Sequence, residues 1–210
     1  MGVVMSTVRE DFVRTFSGLH VRPLALDPGP IDIMDIAHAL SHQCRFNGHT
    51  RSFYSVAEHS VRVAELVPMC DRLAALLHDA AEAYLGDIVS PLKRRLRVYR
   101  LEGTDWATVE ATDIHLAELR LRVHICHQLG LPADMPPAVE HADLVLLATE
   151  MRDLMGAPPE MYDIAASPLS NAIVPWQPAQ AKERFLQTFQ SARSWRHLNG
   201  EVKAATASGV

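Results

Sequence analysis

The chain has 210 residues, 48% of them hydrophobic and 21% charged, with a formal net charge of -5. That length and balance fit one soluble domain with a sizeable core. The acidic charge argues against broad binding to polymeric nucleic acid or to an anionic membrane surface, so any phosphate would be met by local cations. No stretch approaches the roughly 20 apolar residues of a membrane span.

Three cysteines, Cys44, Cys70 and Cys126, form no C-x-x-C pair and read as reduced thiols filling space. The opening Met1–Ser6 fits the loose lipidation pattern M-G-x-x-x-[ST], a pattern short enough to arise by chance. With no signal peptide read at the start, the expected location is the cytoplasm.

Residues 1–31 read as an N-terminal segment. From Ile33 to Gln43 apolar residues recur at helical spacing behind Asp32, a candidate N-cap. The next stretch, Cys44 to Phe53, is polar and aperiodic, a loop suited to substrate contacts or to plain connection. Ser55-Val-Ala-Glu58 is a capping-box pattern that opens a helix to Val67. Asp71 can cap a helix running to about Leu85, stopped by Gly86. Thr104 to Leu129 carries a long helical pattern, and Pro136 or Pro137 starts another that ends at Met155 before Gly156. Only Asn171–Val174 hints at an extended segment. A last helix spans Pro178 to about Trp195, and residues 197–210 read as a disordered tail. The pattern predicts an all-α fold with a single domain over residues 32–196.

Within that pattern the stretch Leu76–Glu82 stands out, because His78, Asp79 and Glu82 interrupt an apolar, alanine-rich run. Buried ionisable groups are costly unless paired or bound to a metal. Adjacent positions leave a regular helix about 100° apart, so His78 and Asp79 can converge on one ion, with Glu82 a turn further on. Asp143 is flanked by Ala142, Leu144, Val145, Leu146 and Leu147, and an unpaired aspartate there would be penalised in the same way. His59 lies in the preceding amphipathic helix and makes a further candidate.

The order His59, His78-Asp79, Asp143, with the blocks Ser55–Ser60, Leu77–Ala83 and Gly86–Lys93, resembles the HD-domain metal-dependent phosphohydrolases. It is most similar to the branch of bacterial 5′-deoxynucleotidases and phage deoxynucleoside triphosphohydrolases. The resemblance covers about residues 32–155. It implies a helical HD-domain bundle with His59, His78, Asp79 and Asp143 as ligands of a divalent ion, Mn²⁺, Co²⁺, Fe²⁺, Ni²⁺ or Zn²⁺. It further implies attack of a metal-bound water on the phosphorus of a nucleotide mono- or triphosphate. Glu82 would act as general acid/base and Asp87 as a second carboxylate near the leaving group. Arg45 and Lys93 would contact phosphate, and Phe46 would lie against the base. The related nucleotidases also imply a homo-oligomer.

Two other readings stay open at this point. Guanosine tetraphosphate hydrolases of the same fold follow this glutamate with an aspartate, where this chain has Ala83. A catalytically silent nucleotide-binding module would keep the metal site and lose the chemistry. Among the remaining polar residues, His49 and Arg51 read as surface and His141 as supporting the site. Glu150, Arg152 and Asp153 read as a local salt-bridge network, and Trp106, Trp176 and Trp195 as packing residues.

Overall fold

A computed structural model describes residues 12–100, 110–162 and 164–207. The architecture is mostly helical, with two short antiparallel strand pairs. Strands β1 (Val13–Arg14) and β2 (His20–Val21) open the chain, followed by α1 (Ile33–His42). Asp32 caps α1 as its sequence position suggests, accepting from the Met34 N–H at 2.7 Å. Ser55 caps α2 (Val56–Glu65) by accepting from Glu58 N at 3.1 Å. The Glu58 side chain does not complete the capping box; it accepts from Arg62 and from Trp176 N instead.

Helix α2 is the centre of the molecule. It touches α1, α3 (Arg72–Leu76), α7 (Pro137–Glu150) and α8 (Pro178–Ala207). Every residue from Val56 to Ala64 except Arg62 is buried. Phe185 and Phe189 of α8 share one buried core with Val56, Val61 and Val63 of α2 and with Leu40 and Ile36 of α1. A helix buried on nearly all sides can hold polar residues only where they find partners, and His59 sits in its middle.

Three expectations are corrected. The helix expected from Asp71 to Leu85 is split into α3 and α4 (Glu82–Leu85), with His78–Ala81 between them in tight turns. Ala80 N donates to Leu77 O and Glu82 N to Asp79 O, both three residues back; Asp71 makes no side-chain cap. The imidazole Nδ1 of His78 lies 2.6 Å from the Ala75 carbonyl, so a side chain satisfies an acceptor at the end of α3.

Second, the long helix expected from Thr104 begins only at Ile114, as α6 (Ile114–Gln128). Ahead of it, β3 (Arg97–Arg100) pairs with β4 (Glu110–Asp113), so the fold is not purely helical. The expected start at Thr104 and Trp106 lie outside the described residues. Between α4 and β3 stands the four-residue α5 (Ser90–Lys93). Third, α8 continues to Ala207, well past the end expected near Trp195.

The extended stretch around Asn171–Val174 joins no sheet. Side chains bind it instead: Asp153 Oδ2 accepts from Ile173 N, Arg62 donates to Val174 O and Arg152 to Leu169 O and Asn171 O. Trp176 lies between the guanidinium groups of Arg62 and Arg184, at 4.5 and 4.2 Å from its ring. Among the described residues no helix is long and apolar enough to cross a membrane.

Candidate metal centre

Three elements converge on one point. Helix α2 brings His59, the turn after α3 brings His78 and Asp79, and α7 brings Asp143. The two imidazole Nε2 atoms are 3.3 Å apart. Asp143 Oδ1 lies 3.1 Å from His59 Nε2, and Asp79 Oδ2 lies 3.2 Å from His78 Nε2 and 3.7 Å from His59 Nε2. His59, His78 and Asp143 offer ligand atoms that all fall within 4.8 Å of one another.

The other ring nitrogens explain why the Nε2 atoms point inward. His59 Nδ1 is 2.7 Å from Glu150 Oε1 and His78 Nδ1 is 2.6 Å from Ala75 O. Both partners are acceptors, so each Nδ1 carries its proton and each neutral ring leaves its Nε2 lone pair facing the other. Two such lone pairs 3.3 Å apart can share one cation, a metal ion or a proton. Metal-ligating histidines are oriented in this same way, the second nitrogen donating to a carboxylate or carbonyl. The donor set is compatible with a divalent ion.

Without such an ion, protons take its place. Burial and Arg45 press the His59 imidazolium down, but Glu150 and Asp143 win and the pKa is pushed up to about 10. His78 is also raised, by Asp79 against burial. Burial works against the charged forms of Asp79 and Asp143 too, yet the adjacent imidazoles hold both carboxyls below the ordinary range.

Glu150 was grouped in the sequence with Arg152 and Asp153. Only those two pair with each other, at 2.6 Å. Glu150 is fully buried, faces the other way onto His59, and also lies 3.4 Å from Arg45 Nη2. Sequence reasoning missed this contact of Glu150 with the cluster, although the residue sits among Ala148, Met151 and Leu154 much as Asp143 sits among its apolar neighbours. Replacing Glu150 by glutamine is expected to weaken divalent-ion affinity about 10- to 100-fold, the range for losing a histidine's supporting partner; isothermal titration with Co²⁺ measures it. His141, by contrast, is exposed and supports nothing in the site, as are His49 and Arg51.

Arg45 stands in a short turn (Arg45–Gly48) in which Phe46 and Asn47 adopt left-handed φ of 56° and 52°. Its guanidinium is largely buried and lies 3.3 Å from Asp79 Oδ2 as well as near Glu150. It therefore neutralises the back of the cluster. Asp87 Oδ2 accepts from Phe46 N at 3.2 Å, which fixes the strained turn. Asp87 does not cap α5, whose N-cap is Val89.

Next to the imidazoles is a cavity of about 170 Å³, walled by His78, Asp79, Glu82, Lys93, Glu118 and Arg122, among others. Glu82 is 4% exposed, and its Oε2 has no hydrogen-bond partner among the described residues. Burial, reinforced by Asp79 and Asp87, pushes its pKa up to about 9 despite Lys93 at 3.2 Å.

A helical protein with a partly buried His-His-Asp cluster, Asp79 beside it, next to a carboxyl-and-lysine cavity is the class that fold and site define. The chain is 38% identical to the uncharacterized protein YfdR of Escherichia coli K12 over 190 residues, 88% of this chain and 97% of the relative, and it belongs to that family. It is also 40% identical over 146 residues to an uncharacterized protein of Rhodobacter capsulatus, covering 62% of this chain and 67% of the relative. No family model matches the chain.

Proposed function

We propose that the protein is a metal-dependent phosphohydrolase of the HD-domain type that acts on nucleotides or deoxynucleotides. The observation that carries this reading is the pair of imidazoles whose Nδ1 atoms are satisfied and whose Nε2 atoms face each other at 3.3 Å beside Asp79 and Asp143. A divalent ion held there would polarise a phosphoryl oxygen and acidify water.

The chain's own residues would do the rest. Glu82 lines the cavity and, held protonated at neutral pH by its raised pKa, would act as the general acid that gives its proton to the leaving oxygen. Lys93, 3.2 Å from Glu82, would meet the phosphate beside it. Arg45 would stabilise the charge behind Asp79, and Asp87 would hold Phe46 in position against the base. We place the enzyme in the cytoplasm and expect a homo-oligomer. The outward stripe of α6, where Leu116, Leu119 and Val123 are each about two-fifths exposed or more, suits a second copy.

The test is direct. Protein loaded with Mn²⁺, Co²⁺ or Zn²⁺ is incubated with nucleoside mono- and triphosphates and the products are identified. Release of phosphate or tripolyphosphate is expected. If every nucleotide remains intact while the metal is bound, the enzyme reading gives way to a silent nucleotide-binding module.

A further inference from the structure

Lys93 does not face the cavity on Glu82 alone. Its Nζ lies 3.2 Å from Glu82 Oε1 and 2.8 Å from Glu118 Oε1, so the shorter ion pair is with a residue outside the blocks that carry the resemblance. Glu118 belongs to α6, and its side chain is only 15% exposed. The two carboxylates and the ammonium line the same cavity as His78 and Asp79.

The elements differ in rigidity. Lys93 ends a four-residue helix whose Leu92 is exposed, and its flexible stem has three rotatable donors. Glu118 is carried by a 15-residue helix whose first turn is fixed twice. Asp113 accepts from His115 N at 2.9 Å and from Arg97 Nη1 at 2.7 Å, tying α6 to strand β3.

We infer that Glu118 is a positioning residue that shares the Lys93 ammonium with Glu82 and so holds it over the cavity. Without it, Glu82 Oε1, which already accepts from Nζ at 3.2 Å, is the carboxyl oxygen left to the ammonium, and the pair tightens on the group that the reaction needs. The ammonium would also lose half of its local neutralisation and bind a phosphate more tightly. The two effects have opposite signs in the kinetics. A mere structural brace between α5 and α6 would give losses of one sign, because loosening the cavity harms binding and turnover together. This inference rests on the phosphohydrolase reading for turnover and is independent of it for phosphate binding.

The experiment compares Glu118→Gln and Glu118→Asp with the native protein, all loaded with Co²⁺. For Glu118→Gln, kcat on the turned-over nucleotide is expected to fall about tenfold. The constant for competing inorganic phosphate should tighten about three- to tenfold, as removal of one partly buried like charge implies. Glu118→Asp should recover most of both. Calorimetric titration of inorganic phosphate supplies the same binding constant without turnover. Tighter phosphate binding in a protein that hydrolyses nothing keeps the positioning role and removes the phosphohydrolase reading. Phosphate binding that is unchanged or weaker in Glu118→Gln overturns the inference whatever the turnover does.

Discussion

Replacing His78 with alanine is expected to remove divalent-ion binding and, with it, turnover. Its Nε2 faces His59 Nε2 at 3.3 Å and Asp79 Oδ2 at 3.2 Å, and its Nδ1 is fixed by the Ala75 carbonyl. Loss of a ligand exceeds loss of a supporting partner, so Co²⁺ affinity should fall by more than about 100-fold. Metal content after dialysis, and activity in parallel, check this. Affinity should also depend on pH in a defined direction. His59 binds a proton with a pKa of about 10 when no ion is present, and an ion must displace that proton. Apparent affinity therefore rises with pH and saturates above about 10; between pH 7 and 9 each unit gains about tenfold. A flat affinity across that range would mean that His59 is not a ligand.

The second large effect is expected at Glu82. Alanine there should lower kcat roughly 10²- to 10⁴-fold, the usual contribution of a general acid or base, while the bound ion remains at full occupancy. The separation is possible because Glu82 begins α4 and faces the cavity from beyond the imidazole cluster. A variant that hydrolyses nucleotides at the native rate would remove Glu82 from the mechanism and leave the metal cluster standing.

Much of the helical frame is legible in the residues because local punctuation decides it. Asp32, Ser55, Pro137 and Gly156 each mark a boundary that the backbone respects. Periodicity misleads where tertiary bonds override it. The run Asp71–Leu85 reads as one helix, yet His78 takes the Ala75 carbonyl and the chain tightens into turns. Strand β4 is equally hidden, since Glu110–Asp113 continues a helical pattern and becomes a strand only by pairing with Arg97–Arg100.

The site divides along the same line. His59, His78, Asp79 and Asp143 are legible as ionisable residues set in apolar helices, and the fold brings them together. Glu150 and Glu118 acquire their meaning only from partners distant in sequence, His59 and Lys93. Arg45, expected on phosphate, packs against Asp79 and Glu150, where a carboxylate as buried as Glu150 needs a cation nearby.

The coil from Leu169 to Trp176 has a consequence for the molecule's behaviour in a crowded solution. An extended run containing Ile173 and Val174 would ordinarily offer a raw strand margin on which another chain could lay itself. Here the amides of Leu169, Ile173 and Trp176 are claimed by Thr149, Asp153 and Glu58, and the carbonyls of Leu169, Asn171 and Val174 by Arg152 and Arg62. The same side chains that lash the coil to α2 and to the end of α7 leave it closed to fibril-like stacking.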